Sequence, residues 1–307
     1  MASRPSEPRF VAAVVITTKN RHQELRTALT SALQQTVEPE VIVVDDGSTD
    51  ETSEMVRAEF PHVSFHRFER SAGYICRRNE GARLAKADVI FSIDDDAAFS
   101  TARIIEQTVA EFDSPRVGAV AIPYSDVNKD RVVRQKAPDR ERIWITDRYI
   151  GTAHAVRHDL FLKLGGYREN FVHQGEEGDF CLRMLNAGFV TRLGNADPIH
   201  HFESPRRDFR RMDFFGRRND VLFAWHNVPT PYLPAHLAAT TFNGLLLGLK
   251  LRRPGDMTRG VLNGYLGCIR YWAERAPVKL QSYLLHRELK KQGPRRLEEI
   301  EERLPPL

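Results

Sequence analysis

Three successive aspartates are the first residues in this chain whose type and spacing suggest chemistry. Asp94, Asp95 and Asp96 directly follow the apolar run VIFSI. In an extended segment alternate side chains point the same way, so Asp94 and Asp96 share a face while Asp95 points elsewhere. Like charges this close need a cation or hydrogen-bond donors beside them, and paired oxygen ligands suit Mg²⁺ or Mn²⁺ held jointly with phosphates. The alternative is a solvated acidic turn that caps the next helix.

A second acidic pair, Asp45 and Asp46, ends another β-branched run and is followed by the turn residues 47–50. In open α/β sheets, ligands bind at the edge formed by the carboxyl ends of the strands. Because both acidic clusters end predicted strands, the sequence predicts that they lie at the same edge. A turn followed by a helix N-cap is the alternative for this pair.

A third group of acids lies in the segment GEEGDFCLRMLNAG, residues 175–188. Glu176, Glu177 and Asp179 fall in the first turn of a predicted helix, where the helix dipole favours anions. A carboxylate here could instead act as a general base toward a hydroxyl nucleophile. Helical periodicity does not separate the two interpretations.

Histidines and arginines follow in ADPIHHFESPRR. His200 and His201 end a predicted short strand, and a neutral imidazole is a good metal ligand, although core or surface histidines are commoner. Six arginines within thirteen residues come next, and they either meet a diphosphate or an acidic lipid or form a solvated basic face. They are Arg206, Arg207, Arg210, Arg211, Arg217 and Arg218. Aromatic residues are not interleaved as in nucleic-acid-binding segments, so a nucleic-acid partner is not expected.

The elements that must position these residues alternate between short apolar runs and segments of helical periodicity. This pattern is typical of a parallel sheet covered by helices, so the fold class is α/β. A helix is predicted from His22 to Gln35. Predicted strands lie within residues 10–20, 40–50, 63–68, 87–94 and 117–123.

The later part of the chain predicts a different organisation. A helix should follow Asp96 with Ser100 as its N-cap, and the charged segment 124–142 should form a mobile loop over the site. The helical region from about residue 205 has a boundary at its prolines, and the C-terminal residues 290–307 should form a peripheral helix and tail. The other predicted elements are a strand at 143–151, a short helix ending at Gly165, a helix at 177–187 and two short strands within 189–193 and 196–202.

Composition places the chain among ordinary globular proteins. It has 307 residues, 41% hydrophobic content and a net charge of +4, a balance compatible with anionic ligands or an acidic membrane surface. Cys76, Cys181 and Cys268 form no CxxC pair, which favours a reducing, cytoplasmic setting. The N-terminus does not resemble a signal peptide, and residues 232–251 are too polar for a convincing membrane span but compatible with an interfacial helix.

Taken together and in order, the motifs resemble glycosyltransferase family 2, the inverting enzymes that use nucleotide sugars. The segments that carry the resemblance, which spans residues 10–230, are VVITTKNR, VIVVDDGSTDET, RNEGARLAKAD, FSIDDDA, GGYRENFVHQGEEGDFCLRMLNAGF and HHFESP. Each motif is weak alone, but six in the right order and spacing are a strong signal. The resemblance implies a GT-A fold, which is a mostly parallel central sheet flanked by helices with a Rossmann-like nucleotide-binding half.

The resemblance also implies roles for individual residues. Asp45 matches the aspartate that hydrogen-bonds the base, and Asp96 matches the metal-binding residue of the Asp-x-Asp motif. The residues implied to bind the nucleotide sugar are Thr17, Asn20, Arg21, Asp45, Asp46, Arg78, Asn79, Asp94 and Asp95. Those implied to bind metal are Asp96, Asp94 and His201, with His200 as the alternative. Glu177 matches the catalytic base, and Glu176 is the alternative because the pair is Glu-Glu where the family more often has Glu-Asp.

The implied function is transfer of a sugar from a nucleoside diphosphate to a hydroxyl of a saccharide, a lipid-linked saccharide or a small molecule, with Mg²⁺ or Mn²⁺ as cofactor. The implied domains are a catalytic domain, residues 1–228, and a helical C-terminal extension, residues 229–307, which would contact a membrane surface, the acceptor or a second copy in a homodimer. A peripheral position on the inner face of the cell membrane is compatible with this arrangement.

Two other classes of function compete with this prediction. A haloacid-dehalogenase-like phosphatase or phosphotransferase needs Thr or Val where this chain has Ala98, and Asp45-Asp46-Gly47 lacks its second aspartate. A non-catalytic module that binds a nucleotide sugar or a metal would need no base carboxylate at Glu177.

Overall fold

The computed structural model describes residues 11–204 and 208–307, an α/β arrangement with helices on both faces of a central sheet. The strands are β1 Ala12–Thr18, β2 Glu40–Asp45, β3 Ser64–Arg67, β4 Val89–Asp94, β5 Ala97–Phe99, β6 Val117–Ala121, β7 Tyr124–Asp126, β8 Val133–Arg134, β9 Trp144–Thr146, β10 Ala153–Arg157, β11 Val190–Leu193, β12 Ile199–His201 and β13 Arg295–Arg296. The helices are α1 His22–Leu33, α2 Thr52–Glu59, α3 Tyr74–Leu84, α4 Ile104–Val109, α5 His158–Lys163, α6 Glu176–Asn186, α7 Phe209–Asn227, α8 Leu233–Lys250, α9 Pro254–Arg270, α10 Leu280–Gln292 and α11 Leu297–Ile300.

The central sheet has nine strands in the order β13-β9-β11-β6-β10-β4-β1-β2-β3. Strands β3, β2, β1 and β4 are parallel neighbours, and only β9 and β10 run against the common direction. The carboxyl ends of β1, β2 and β4 therefore meet at one edge of the sheet, where the sequence predicted the acidic clusters. The α/β fold class is confirmed.

Strand β1 shows why the sheet forms at this position. Each of its residues is buried, because alternate side chains enter hydrophobic clusters on the two faces of the sheet. Val14 and Ile16 pack toward Leu25 and Leu29 of α1, while Val15 packs in the cluster on the opposite face. Burial on both faces explains the continuous apolar run that predicted this strand.

The region after Asp96 differs from its prediction. Residues 97–99 form β5, which belongs to a second sheet with the order β5-β12-β7-β8. The next helix begins at Ile104 after Arg103, so the prediction of Ser100 as N-cap was wrong. The segment 124–142 contributes β7 and β8 to the second sheet, so it is not simply a loop.

Strand β10 was missed by the sequence analysis, although it lies between β4 and β6 in the middle of the central sheet. Its sequence AHAVR is short and contains a histidine and an arginine. His154 is nonetheless buried, since its ring stacks on Tyr149 and its Nε2 contacts the Tyr167 hydroxyl at 2.9 Å. A polar residue that finds partners inside the core interrupts the apolar run by which a central strand is recognised in a sequence.

Helices α7, α8 and α9 pack together in the C-terminal part of the chain. Glycines allow α9 to approach α7 closely: a Cβ on Gly260 would lie 2.3 Å from the Phe214 carbonyl oxygen, and one on Gly264 would lie 2.8 Å from the Arg218 carbonyl oxygen. Within the described residues, no helix combines the length and the apolar character that crossing a membrane requires.

The C-terminal residues are not peripheral. Strand β13 pairs with β9 at one end of the central sheet. Leu297, Ile300 and Leu304 are buried in a hydrophobic cluster with Val117 and Ile145 of the central sheet. The predicted peripheral tail was therefore wrong, because its spaced leucines and isoleucine complete the core at this end of the sheet. The division into domains at residues 228 and 229 stays a prediction.

Three buried histidines predict a loss of stability in mild acid. Burial lowers the pKa of His154 to about 3 and the pKa of His226 and His286 to about 4. In the unfolded chain these rings titrate near 6.5, so at lower pH the unfolded state binds protons that the folded state does not. Each ring should therefore contribute a fall in the free energy of unfolding of roughly 1 kcal/mol for each pH unit below about 6. Buried carboxyls whose pKa is raised to about 7, Asp95 and Glu111, contribute in the opposite direction, so the histidine contribution is measured as a difference between variants in urea unfolding.

Two variants test whether buried histidines cause this dependence of the unfolding free energy on pH. The Nδ1 atom of His286 has no hydrogen-bond partner among the described residues, so His286→Leu should reduce the slope by about one proton. His62 is exposed, and His62→Gln should leave the slope unchanged. Equal pH slopes of the unfolding free energy for wild type and His286→Leu between about pH 7 and pH 5 would contradict the prediction.

Candidate active site

A cleft of about 810 Å³ opens at the carboxyl edge of β1, β2 and β4. It also contacts the second sheet, the start of α3, the start of α6 and the start of α7. The predicted site residues that line it are Thr17, Arg21, Asp46, Arg78, Asp94, Asp95, Asp96, Glu177 and His201. The lining does not include the others, which are Asn20, Asp45, Asn79, Glu176 and His200. Most of the predicted residues thus meet in one cleft.

Asp94, Asp96 and His201 form a cluster in which each residue offers one ligand atom within 4.8 Å of the other two. Strand β12 pairs antiparallel with β5 so that His201 lies opposite Ala97, which brings the ring beside Asp96. The Nε2 atom of His201 is 3.4 Å from Oδ1 of Asp96. Two carboxylates and an imidazole in a half-buried setting are a donor set that fits Mg²⁺ or Mn²⁺.

The two histidines of the HH pair have different surroundings. The Nδ1 atom of His201 is 3.3 Å from Oδ2 of Asp126, which lies beside it on β7. This carboxylate holds one ring nitrogen, so the other faces the cluster, as is usual for a metal-binding histidine. Burial alone would lower the pKa of His201, but Asp96 raises it above its ordinary value. His200 points to the other side of β12, where its ring meets the edge of Phe202.

Asp94 and Asp96 share the cluster, as predicted, and Asp95 is not part of it, although residues 95 and 96 form a turn rather than an extended strand. The Oδ2 atom of Asp95 accepts a hydrogen bond of 2.8 Å from the Thr18 hydroxyl, and its Oδ1 accepts one of 2.8 Å from Arg21. The same Arg21 nitrogen donates to Oδ2 of Asp96 at 2.7 Å. Burial raises the pKa of Asp95 to about 7 against the opposing effect of Arg21. Asp95 therefore fixes Arg21 beside the cluster.

Arg78 connects the metal-type cluster with the glutamate pair. It is 5% exposed, and its Nη2 donates to Oδ1 of Asp94 at 2.6 Å. Its Nη1 donates to Oε1 of Glu176 at 3.1 Å and lies 3.9 Å from Oε1 of Glu177. A buried arginine shared by several carboxylates fixes their relative positions, since its charge is compensated only while all of them stay in place.

Glu176 and Glu177 have different surroundings in the structure. Glu176 is fully buried against Arg78 and the Tyr74 hydroxyl, and burial together with Glu177 raises its pKa well above the ordinary value. The side chain of Glu177 is 19% exposed and lines the cleft. Gly151 lies directly beside it: a Cβ there would be 2.5 Å from Oε1 of Glu177. Of the pair, Glu177 is the carboxylate that a substrate in the cleft can reach.

Asp45 and Asp46, the acidic pair at the end of β2, also have different surroundings. Asp46 lines the cleft, where it accepts hydrogen bonds from the Ser71 hydroxyl, the backbone N–H groups of residues 72 and 73, and Arg77. Burial would raise its pKa, but these donors hold the pKa below the ordinary range. Asp45 is buried beneath the turn, where its Oδ1 accepts from the Ser48 N–H at 2.8 Å.

Asn20 and Asn79 hold loops around the cleft. The Asn20 Oδ1 accepts from the Thr49 N–H at 2.7 Å, which joins the loops after β1 and β2. The Asn79 side chain exchanges two hydrogen bonds with the backbone of Tyr167, at 2.8 and 2.9 Å, and is 3% exposed. Both contacts shape the backbone near the cleft.

A protein-family model matches the part of the chain that contains β2 and β4. The model for glycosyl transferase family 2 matches residues 13–171, which is just over half of the chain. The chain belongs to this family. The match contains all but the first residue of β1, together with β2 and β4 and the acidic residues at the ends of these two strands.

Similar proteins with known names are also glycosyltransferases. It is 27% identical over 219 residues to the O-antigen chain rhamnosyltransferase RfbN of Salmonella typhimurium, a match that covers 64% of this chain and 69% of RfbN. It is 28% identical over 272 residues to the pre-mycofactocin glycosyltransferase of Mycobacterium tuberculosis, with 82% of this chain but only 56% of that relative covered.

Solved structures share the fold of the glycosyltransferase. The mannosyltransferase PcManGT from Pyrobaculum calidifontis in complex with GDP-Man and Mn²⁺ matches with a TM-score of 0.56 and 20% identity, covering 92% of this chain and 80% of that one. S. aureus TarS 1-349 in complex with UDP-GlcNAc matches with a TM-score of 0.62 and 16% identity, covering 91% and 87%. These matches confirm the GT-A fold class.

Sequence reasoning missed three residues of the glycosyltransferase site. Asp126 was hidden because its segment carried no strand pattern, and Gly151 because its role depends on a close approach that only the fold creates. Tyr74 had a usable signal, since it lies one helical turn before Arg78 on α3, and the Arg78 guanidinium lies 4.7 Å from the centre of its ring.

Proposed function

We propose that this glycosyltransferase moves a sugar from a nucleoside diphosphate to a hydroxyl acceptor by a single inverting displacement. One observation carries the proposal: the Asp94, Asp96 and His201 cluster and the accessible carboxylate of Glu177 face the same cleft, joined by the buried Arg78. Such a cleft brings the diphosphate end of a donor and the hydroxyl of an acceptor within reach of different groups. A phosphatase or a simple binding module has no need of the Glu177 position.

In this proposal the donor binds along the carboxyl edge of the sheet. Thr17, Arg21 and Asp46 line the part of the cleft at the ends of β1 and β2, where the nucleoside lies. The diphosphate lies against the Asp94, Asp96 and His201 cluster, which would hold Mg²⁺ or Mn²⁺. A divalent ion held there would neutralise the charge that develops on the leaving diphosphate.

The chain's own residues perform the proton transfer. Glu177 takes the proton of the acceptor hydroxyl while the acceptor oxygen bonds to the anomeric carbon. The bond from that carbon to the diphosphate oxygen breaks on the opposite face, and its electron pair remains on the released nucleoside diphosphate. Attack and departure on opposite faces invert the anomeric carbon. Glu176 keeps Arg78 in place from behind the wall.

The acceptor is proposed to be a carbohydrate, free or lipid-linked, in the assembly of a cell-envelope polysaccharide. The name of the relative RfbN, an O-antigen chain rhamnosyltransferase, supports this choice. Cys76, Cys181 and Cys268 are free thiols, which supports a cytoplasmic location. The C-terminal helices are proposed to serve either peripheral membrane contact or a homodimer.

Donor binding tests the proposal directly. We expect one nucleotide sugar among UDP-, GDP- and dTDP-sugars to raise the melting temperature by roughly 3–8 °C at saturating concentration, with the shift dependent on Mn²⁺. The matching nucleoside monophosphate is the control, and it should stabilise the protein less because it lacks the diphosphate. If none of the donors gives a metal-dependent shift, the proposed function fails.

A further inference from the structure

The hairpin of α8 and α9 exposes a continuous apolar face. On each helix the exposed apolar side chains repeat at the positions i, i+3, i+4 and i+7, which puts them on one stripe. The stripes are Phe242, Leu245, Leu246 and Leu249 on α8 and Leu262, Tyr265, Leu266 and Ile269 on α9, with Trp272 just beyond. Leu266 is 64% exposed and Ile269 is 73% exposed. An exposed patch of this extent marks a binding surface.

The opposite side of the hairpin packs against α7, so only one face is available. Gly260 and Gly264 of α9 pack against the backbone of α7, and Gly244 of α8 packs against Arg217. The hydroxyls of Thr241 and Tyr265, 2.8 Å apart, join the two helices across the stripes. The hairpin therefore presents an apolar face on which a hydrogen bond joins the two helices.

The segment that carries this face is rich in basic residues. Between residues 233 and 272 the chain has one acidic residue, Asp256. Asp256 is already paired with Arg210 at 3.2 Å and lies 3.8 Å from Arg259. The basic residues of the same segment are Lys250, Arg252, Arg253, Arg259 and Arg270. An apolar face with a cationic border complements an anionic lipid surface, in which acyl chains lie beneath negative head groups.

The connection between α8 and α9 lies at the cleft end of α7. Arg253 in this connection pairs with Asp213 near the start of α7 at 3.2 Å. One residue before Asp213, Met212 lines the cleft together with Arg211. The apolar face and the cleft are thus joined through the first turns of one helix.

We propose that the α8–α9 face binds the surface of an anionic bilayer, with its apolar stripes in the interface and its arginines at the head groups. A second copy of the chain fits less well, because pairing two such faces would bring two sets of basic residues together. If the proposed function is also correct, the cleft lies close to the membrane and a lipid-linked acceptor can reach it.

Vesicle flotation of the full chain tests the surface without any transfer reaction. We expect binding to phosphatidylcholine vesicles that contain about one third phosphatidylglycerol, weaker binding to phosphatidylcholine alone, and a loss of binding as salt is raised. The pair Leu262→Glu and Leu266→Glu should weaken binding by more than about tenfold. Replacing Arg252 and Arg259 by Gln should weaken binding by about fivefold per residue, and only on the anionic vesicles.

Matched controls use exposed leucines elsewhere. Leu33 and Leu162 are 47% and 44% exposed, on α1 and α5, and their replacement by Glu should leave flotation unchanged. Equal flotation by wild type and the Leu262 and Leu266 pair overturns the proposal. So does a wild-type chain that floats with neither vesicle but forms dimers in light scattering that the same pair abolishes. Donor-induced stabilisation in the variants is measured separately, so failure of the surface is distinguishable from failure of the proposed function.

Discussion

Replacing Glu177 by Gln should abolish sugar transfer while leaving donor binding intact. Glu177 lines the cleft, but Arg78 rather than Glu177 contacts Asp94 in the metal-type cluster. The amide of Gln has almost the same shape as the carboxylate and cannot accept the acceptor's proton. General base catalysis typically contributes 10²–10⁴-fold, so we expect kcat to fall by about that factor. The dissociation constant of the donor, measured by calorimetry, should change by less than about threefold.

The neighbouring Glu176→Gln is the matched control. Glu176 is fully buried and reaches the site only through Arg78 and Tyr74. Since Gln retains an oxygen that accepts from Arg78, we expect a decrease in kcat of less than about tenfold and a small loss of stability. If Glu176→Gln stops transfer and Glu177→Gln does not, the two roles are reversed; if Glu177→Gln transfers at the wild-type rate, the inverting mechanism proposed for this cleft is wrong.

The comparison between the two glutamates shows what a sequence can and cannot specify. Strands that bury both faces have continuous apolar runs, and for this reason β1, β2 and β4 were predictable, as were the acids at the ends of β2 and β4. Which of two adjacent carboxylates enters a cleft depends on the rotation of a helix about its axis. That rotation is fixed by packing of residues distant in sequence, such as Arg78 and Gly151 against the start of α6.

Contacts between residues distant in sequence also explain the other differences between prediction and structure. Strand β10 was not predictable because His154 is its second residue, and the ring is accommodated through contacts with Tyr149 and Tyr167. Asp126 had no signal because its strand has three residues and exists only through pairing with β12 and β8. The grouping of Asp94 with Asp96 was predicted, but residues 95 and 96 form a turn, so the alternation of an extended strand does not produce it.

The Asp-x-Asp cluster gives the second large expected effect: Asp96→Asn should lose metal-dependent donor binding. Asp96 contacts His201 through one oxygen and Arg21 through the other, and these partners lower its pKa although burial opposes them. An ionised carboxylate is the ligand that a divalent ion requires, and the neutral amide of Asn is a much weaker one. We expect Mn²⁺ affinity, measured by electron paramagnetic resonance, to fall by at least about tenfold, and kcat to fall by about 10²–10⁴-fold.

Asp95 and His200, the chain neighbours of Asp96 and His201, supply the controls. Asp95 is bound to Thr18 and Arg21, so Asp95→Asn should keep Mn²⁺ affinity within about threefold while reducing stability. His201→Gln should weaken Mn²⁺ by about tenfold or more, whereas His200→Gln should leave it unchanged because that ring lies on the other side of β12. Loss of Mn²⁺ in both histidine variants, or in neither, would contradict a metal site built from Asp94, Asp96 and His201. Whether these three side chains bind one ion can therefore be tested without knowing the identity of the sugar.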